Sequence, residues 1–113
     1  MSSARYLADA RNQSAEITAE GAQRRVLSYA TNLMVVEFVF EAGIESATHS
    51  HPHEQIGYVV LGSLELFMEG QEVVRLTAGC SYYVPPNLPH GVRILEPTVL
   101  VDCFTPARED LVG

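Results

Sequence analysis

From Arg25 onward, turn residues divide the chain into short β-prone segments, a pattern that limits it to all-β folds. Val26–Ala30 and Leu33–Phe40 are rich in β-branched and aromatic residues, and Glu41-Ala42-Gly43 ends the second of them. Further segments of this kind follow at Ile56–Leu61, Leu64–Met68, Glu72–Leu76, Ser81–Val84, Gly91–Leu95 and Thr98–Phe104. Turn signals about every eight to twelve residues predict an antiparallel β-barrel or sandwich.

The length of the chain predicts one domain. Its 113 residues are enough for a single core, and no repeat or linker divides them. Residues 1–22 are polar and alanine-rich, with weak helical character around Arg5–Arg11, so we expect an N-terminal arm there and the barrel over residues 23–113. Gly62-Ser63 predicts a hairpin that joins Ile56–Leu61 to Leu64–Met68.

Charge and composition argue against several classes of protein. The formal net charge is −7 and every basic residue is an arginine, so no basic patch suited to nucleic acid is visible. No apolar run reaches the length of a transmembrane helix and no secretory leader is recognisable, so we expect a cytoplasmic protein without membrane contact. Cys80 and Cys103 lack the spacing of metal ligands and are expected to be free thiols in a reducing compartment.

The histidines point to a metal site. All four fall in two short stretches, at His49, His51 and His53 and at His90. Alternate residues of a strand share a face, so the first three would lie on one side together with Gln55, unless Pro52 introduces a bulge. Imidazole is the commonest protein ligand of divalent transition metals. The alternative is a set of surface or packed core histidines.

Two motifs resemble those of the cupin superfamily. The spacing of Gly43, His49-Ser50-His51, Gln55 and Gly62 is similar to its first motif, with Gln55 in place of a glutamate. Gly79, Pro85-Pro86-Asn87 and His90 are similar to its second, with Asn87 in place of a glycine. The resemblance implies a cupin-type antiparallel β-barrel, also called a double-stranded β-helix or jelly roll.

A narrower resemblance is to the small cupins of the KdgF type. It is carried by Asn32–Val36, by His51-Pro52-His53-Glu54-Gln55 and by Asp102–Asp110. That family is associated with opening 4,5-unsaturated uronates from pectin or alginate into linear keto sugars. Residue by residue, the resemblance implies that His49, His51, Gln55 and His90 are metal ligands. It also implies that Asp102, Phe104 and Arg108 are active-site residues.

The glutamine in place of a glutamate favours non-redox chemistry. Three imidazoles and a neutral amide leave a divalent ion its full charge, which makes it a stronger Lewis acid. Nickel, zinc, manganese, iron and cobalt all accept this ligand set. Alternatively, Gln55 only hydrogen-bonds His53 or the backbone. His53 itself is interpretable as a fifth ligand, a partner of a ligand or an exposed residue.

The C-terminal residues have structural alternatives. Asp102 lies in an apolar run, where a carboxylate is costly unless it is paired or functional. It could move a proton, or it could pair with Arg93 or Arg24 inside the barrel. Phe104 would line the pocket or simply pack in the core. Arg108 would bind a substrate carboxylate or pair with a neighbouring acid.

The leading hypothesis is a metal-dependent enzyme of the isomerase or lyase type that acts on a small sugar acid. The alternatives are a quercetinase-like dioxygenase, a polyketide-cyclase-like enzyme and a non-enzymatic cupin that binds a small molecule. We also expect a homodimer, because Val26–Ala30 and Leu33–Phe40 carry apolar residues on both faces and need a cover. The alternative is that the N-terminal segment folds back as that cover.

Overall fold

The computed structural model describes residues 4–112, and within them it contains nine strands and two short 3-10 helices, Ala10–Asn12 and Glu109–Leu111. The strands are β1 (Glu16–Ile17), β2 (Gln23–Tyr29), β3 (Met34–Phe40), β4 (Glu54–Leu61), β5 (Ser63–Met68), β6 (Val74–Thr77), β7 (Ser81–Val84), β8 (His90–Ile94) and β9 (Thr98–Thr105). All pairings are antiparallel. The predicted all-β, cupin-type fold is confirmed.

The strands form two sheets. The larger sheet has the order β1-β2-β3-β9-β4-β7, and the smaller has the order β6-β5-β8. Burial alternates along β9, where Thr98, Leu100, Asp102 and Phe104 are buried and the residues between them are only half-buried. The polar Asp102 therefore lies on the inner face of the larger sheet, among side chains of the core.

The core lies between the sheets and is divided into two clusters. One cluster joins the sheets and includes Val59, Leu64, Ile94 and Leu100. The other covers the end of the larger sheet near the C terminus, and its buried residues are Val26, Met34, Val36, Phe104 and Ala107. Burial of these side chains supplies the main free energy of folding.

The predicted hairpin of Ile56–Leu61 with Leu64–Met68 is wrong. β4 pairs with β7 and β9, whereas β5 pairs with β6 and β8, so the chain changes sheets at Gly62. Gly62 has a φ of 93°, and a Cβ there would lie 2.3 Å from the carbonyl oxygen of Pro97. The glycine marks a corner at which the chain passes close to the backbone of another turn.

The N-terminal residues differ from the helical expectation. Around Arg5–Arg11 only a 3-10 turn begins, at Ala10, and Arg5 instead forms a bridge with Tyr29. β1 then pairs with β2 and extends the edge of the larger sheet. The division into an arm and a barrel at residue 22 stays a prediction. No helix in the described part of the chain is long and apolar enough to span a membrane.

Candidate metal centre

Two chain segments bring three histidines together. His49 precedes β4 and forms an isolated bridge with His90 at the start of β8, through backbone hydrogen bonds of 2.9 and 3.0 Å. His51 lies beside them, and one ring nitrogen from each of the three histidines lies within 4.8 Å of the others. His51 and His90 are buried, whereas His49 is exposed, so the cluster opens toward solvent on one side.

Backbone carbonyls determine which nitrogen of each ring carries the proton. Nδ1 of His49 lies 2.8 Å from the carbonyl oxygen of Ala47, Nδ1 of His51 lies 3.2 Å from that of His53, and Nδ1 of His90 lies 2.8 Å from that of Leu88. A carbonyl oxygen only accepts hydrogen bonds, so each Nδ1 must be the donor. In the neutral rings, each Nε2 therefore presents a lone pair, as a metal ligand must.

Burial favours the neutral form of two of these rings, those of His90 and His51. It lowers the pKa of His90 to about 4, against a smaller upward effect of its hydrogen bond to Leu88. Burial likewise lowers the pKa of His51. Nε2 of His90 is buried and has no hydrogen-bond partner. A buried lone pair without a partner is costly in an ordinary core and expected at a metal site.

Gln55 completes the donor set from the first residues of β4. It is 5% exposed, and its Oε1 lies 3.0 Å from Nε2 of His51. Both atoms are acceptors in this arrangement, so their lone pairs face each other. Adjacent ligand atoms that each lie about 2.1 Å from one ion are about 3 Å apart. The site thus fits a divalent metal, and Gln55 as its fourth ligand stays a prediction.

His53 lies outside the cluster of the other three histidines. β4 begins only at Glu54, so none of the three early histidines lies in this strand, and the strand alternation predicted for them does not explain their positions. Its ring centroid is 5.5 Å from that of His51, and its carbonyl oxygen accepts the Nδ1–H of His51. The backbone of His53 therefore orients a predicted metal ligand.

Asp102 is buried beside this centre and is 4% exposed. Burial raises its pKa to about 7, while hydrogen bonds from Gln55 and Tyr82 and the charge of Arg108 act in the opposite direction. Arg93 and Arg24, the candidate ion-pair partners, bind Glu65 and Glu16 respectively. Asp102 is thus hydrogen-bonded by neutral donors, and its carboxyl titrates close to neutral pH.

From the sequence, Tyr58, Tyr82 and Tyr83 are candidates to line the cavity or simply to pack, and in the structure Tyr82 is the one that reaches this carboxylate. The Tyr82 hydroxyl donates to Oδ1 of Asp102 over 3.1 Å. Gly57 lies opposite both residues in the sheet register, and a Cβ on Gly57 would lie 2.3 Å from the Tyr82 ring. The ring therefore crosses β4 only because Gly57 has no side chain. The sequence does indicate that Tyr82 faces inward, because alternate residues of a strand share a face and Tyr82 is two residues from the buried Val84.

Phe104 and Arg108 lie next to the histidines. Phe104 is 2% exposed, and its ring meets that of His51 edge-on at 5.6 Å between centroids. The Arg108 guanidinium lies 5.2 Å above the Phe104 ring. Its Nε and Nη2 bind the carboxylate of Asp110 at 3.3 and 2.8 Å. Phe104 thus belongs to the core and also lines the cavity, and Arg108 is already paired with an acid.

One cavity of about 450 Å³ connects these groups. Its lining includes His49, Gln55, His90, Asp102 and Arg108. The volume is in the range of sites that hold small molecules. One space large enough for a monosaccharide is therefore lined by possible metal ligands, by the Asp102 carboxyl and by the Arg108 guanidinium.

Comparisons with known sequences agree with this architecture. The cupin domain family matches residues 36–104. The chain is 37% identical over 95 residues to the pectin degradation protein KdgF of Dickeya dadantii strain 3937, an alignment that covers 82% of this chain and 86% of that protein. It is 34% identical over 55 residues to the dimethylsulfoniopropionate lyase DddQ of Ruegeria pomeroyi, covering 49% of this chain and only 27% of the lyase.

Solved structures show the same likeness. An RmlC-like cupin from Shewanella frigidimarina has a TM-score of 0.91 and 34% identity, covering 98% of this chain and 99% of that one. KdgF from a Halomonas species has a TM-score of 0.87 and 34% identity, covering 93% and 98%. The shared fold thus extends over nearly the whole chain, including the histidine cluster.

Proposed function

This chain belongs to the cupin domain family, and on that premise we propose that it is a metal-dependent enzyme that converts 4,5-unsaturated uronates into open-chain keto sugars. The likeness to the pectin degradation protein KdgF supports the substrate class. The observation that carries the proposal is that two of the three clustered histidines, His49 and His90, line one cavity of sugar size together with Asp102.

The metal would be held by the Nε2 atoms of His49, His51 and His90 and by Oε1 of Gln55. When bound, a divalent ion supplies Lewis acidity toward a hydroxyl or enol oxygen. Nickel, zinc, manganese, iron and cobalt are all compatible with this donor set. The carbonyl acceptors at Nδ1 hold the imidazoles in the orientation that binding needs.

Asp102 is assigned the proton transfer. Opening the hemiacetal ring removes the proton of the anomeric hydroxyl, and a proton is added to carbon when the resulting enol becomes a ketone. The step is an isomerisation that consumes no oxidant and no water. A carboxyl whose pKa is about 7 can accept and release a proton at neutral pH, as both halves of this reaction require.

Neighbouring residues keep Asp102 and the substrate in place. The Tyr82 hydroxyl and the Gln55 side chain hydrogen-bond to Asp102 and restrict where its proton can go. Phe104 contributes an apolar ring to the cavity lining beside His51. Arg108 places a positive charge above Phe104, where it would stabilise an enolate that forms during ring opening.

Turnover of unsaturated galacturonate tests the proposal. The absorbance of its conjugated double bond should fall faster with protein than without, the effect should stop after chelator treatment, and it should return on adding a divalent metal. Dimethylsulfoniopropionate serves as the comparison substrate, because a relative is a lyase of that compound. If no candidate metal restores turnover of the uronate, or if only dimethylsulfoniopropionate is consumed, the proposal is wrong.

A further inference from the structure

A second guanidinium faces the cavity from a wall other than that of Arg108. Arg24 lies on β2 with the parity of the buried Val26, so it points to the inner face of the larger sheet. Its register partner on β3 is Phe38, and both residues line the cavity. The residues between β1 and β2 line the same wall. Arg108, above Phe104, lies instead at the histidine end.

The donors of Arg24 are largely unused. Its Nε is buried and has no hydrogen-bond partner. Its Nη2 makes one long contact of 3.5 Å to a carboxylate oxygen of Glu16, whose side chain is 66% exposed. Buried N–H groups are nearly always paired, so an unpaired one in a cavity wall indicates a position for an acceptor.

Arg108 and Arg25, by contrast, use their donors on protein acceptors. Arg108 uses Nε and Nη2 on Asp110. Arg25, on the outer face of β2, donates Nε to the carbonyl oxygen of Gln13 over 2.8 Å and pairs with Glu37. Among residues 4–112, Arg24 is the only arginine whose Nε is buried and has no hydrogen-bond partner.

We propose that Arg24 binds the carboxylate of the substrate, with Nε and Nη2 as the paired donors, and so makes the site specific for acid sugars. This inference rests on the proposed function and assigns a residue to it. The Nε–Nη2 edge of a guanidinium matches the two oxygens of a carboxylate. The exposed Glu16 carboxylate is the group that the substrate displaces.

The charge of the protein makes such a local cation necessary. With a net charge of −7, the overall field repels an anionic sugar rather than attracting it. The cavity wall must therefore supply the attraction at short range. Because Arg24 and the histidines are on different elements, binding of the carboxylate there orients the ring so that one end faces the predicted metal ligands.

Binding measurements with a non-reacting probe test this assignment. D-galacturonate and its neutral counterpart D-galactose are titrated calorimetrically into metal-loaded wild type, Arg24→Gln, Arg24→Lys and Arg25→Gln. We expect wild type to prefer galacturonate and Arg24→Gln to weaken its binding by about 10- to 100-fold, the value of charged hydrogen bonds. Arg24→Lys should weaken it less, and galactose binding should be the same in all four.

Arg25→Gln is the matched control, because it removes an identical charge from the next residue on the outer face of the same strand. It should bind galacturonate like wild type. With unsaturated galacturonate as substrate, Arg24→Gln should raise KM by the same factor as the probe affinity falls and leave kcat within about threefold. If Arg24→Gln failed to fold, its galactose binding would fall too. In that case galacturonate binding is compared between wild type and Arg24→Lys.

The outcomes separate this inference from the proposed function. If wild type turns over no uronate but Arg24→Gln still loses galacturonate affinity, the function is wrong and the carboxylate site stands. If Arg24→Gln and Arg25→Gln bind galacturonate equally, or if wild type does not prefer it to galactose, the assignment of Arg24 is overturned, whether or not the enzyme is active.

Discussion

Replacing Gly57 with alanine tests whether the Tyr82–Asp102 contact depends on the missing side chain. The new Cβ would lie 2.3, 2.4 and 2.6 Å from Cζ, Cε1 and Oη of Tyr82, and these are its three nearest atoms. Carbon atoms pack at about 3.5–4.0 Å, so the ring must move by about 1 Å or more. The hydroxyl, now 3.1 Å from Asp102, would then be out of hydrogen-bond range.

Two effects of the substitution lower the free energy of unfolding, and one raises it. Overpacking costs about 1–3 kcal/mol, and loss of a donor to a buried acceptor costs about 1–3 kcal/mol. Alanine in place of glycine returns about 0.5–1 kcal/mol through the unfolded state. We therefore expect the free energy of unfolding to fall by about 1–5 kcal/mol and the melting temperature by about 4 °C or more. Gly57 does not have a positive φ, so backbone strain does not confuse the result.

Thermal unfolding followed by circular dichroism measures the effect, and a Tyr82→Ala background isolates it. With the ring removed, the added methyl group has room, and Gly57→Ala should change the melting temperature by about 2 °C or less. An equal loss in both backgrounds would refute the reasoning, because the cost would then arise somewhere other than the Tyr82 ring.

Four further predictions concern the centre and the assembly. Asp102→Asn should keep the fold and the metal but lower turnover by about 10²–10⁴-fold, and unchanged kcat would remove Asp102 from the mechanism. Because burial raises the pKa of Asp102 from 3.8 to about 7, the folded protein binds its proton more tightly than the unfolded chain does, and this contribution to stability is lost as pH rises from about 4 to 7. In chelator-treated protein, Asp102→Asn should thus gain stability relative to wild type across that interval, and a flat difference in denaturant titrations would contradict the shift. Gln55→Glu should slow metal loss to a chelator and reduce kcat, because an anionic ligand weakens the Lewis acid, whereas equal or higher kcat would contradict that argument. Light scattering at micromolar concentration should give a homodimer, and a monomer would show that the apolar outer faces need no partner.

The strand pattern could be predicted because alternation is a local property. Ser81–Val84 was predicted with its observed bounds, and Thr98–Phe104 ends one residue short of β9. The partner of each strand could not be predicted in the same way. Gly62 signals a change of direction, but a corner between two sheets and a hairpin within one sheet use the same glycine.

The site shows the same division between local and distant information. Spacing brought out His49, His51 and His90, and the structure places these three together. The contact of Tyr82 with Asp102 requires three strands in one register, which depends on pairings far apart in sequence. The position of Arg24 in the cavity wall likewise depends on the sheet. Locally, Arg24 differs from Arg25 only in the face of the strand on which it lies.

The metal content of the protein tests the central claim most directly. Elemental analysis of metal-loaded wild type should give close to one equivalent of a divalent transition metal per chain, and a His51→Ala, His90→Ala double variant that remains folded by circular dichroism should give almost none. A full equivalent retained by the double variant would contradict the ligand set, and with it the metal-dependent chemistry proposed for this cavity.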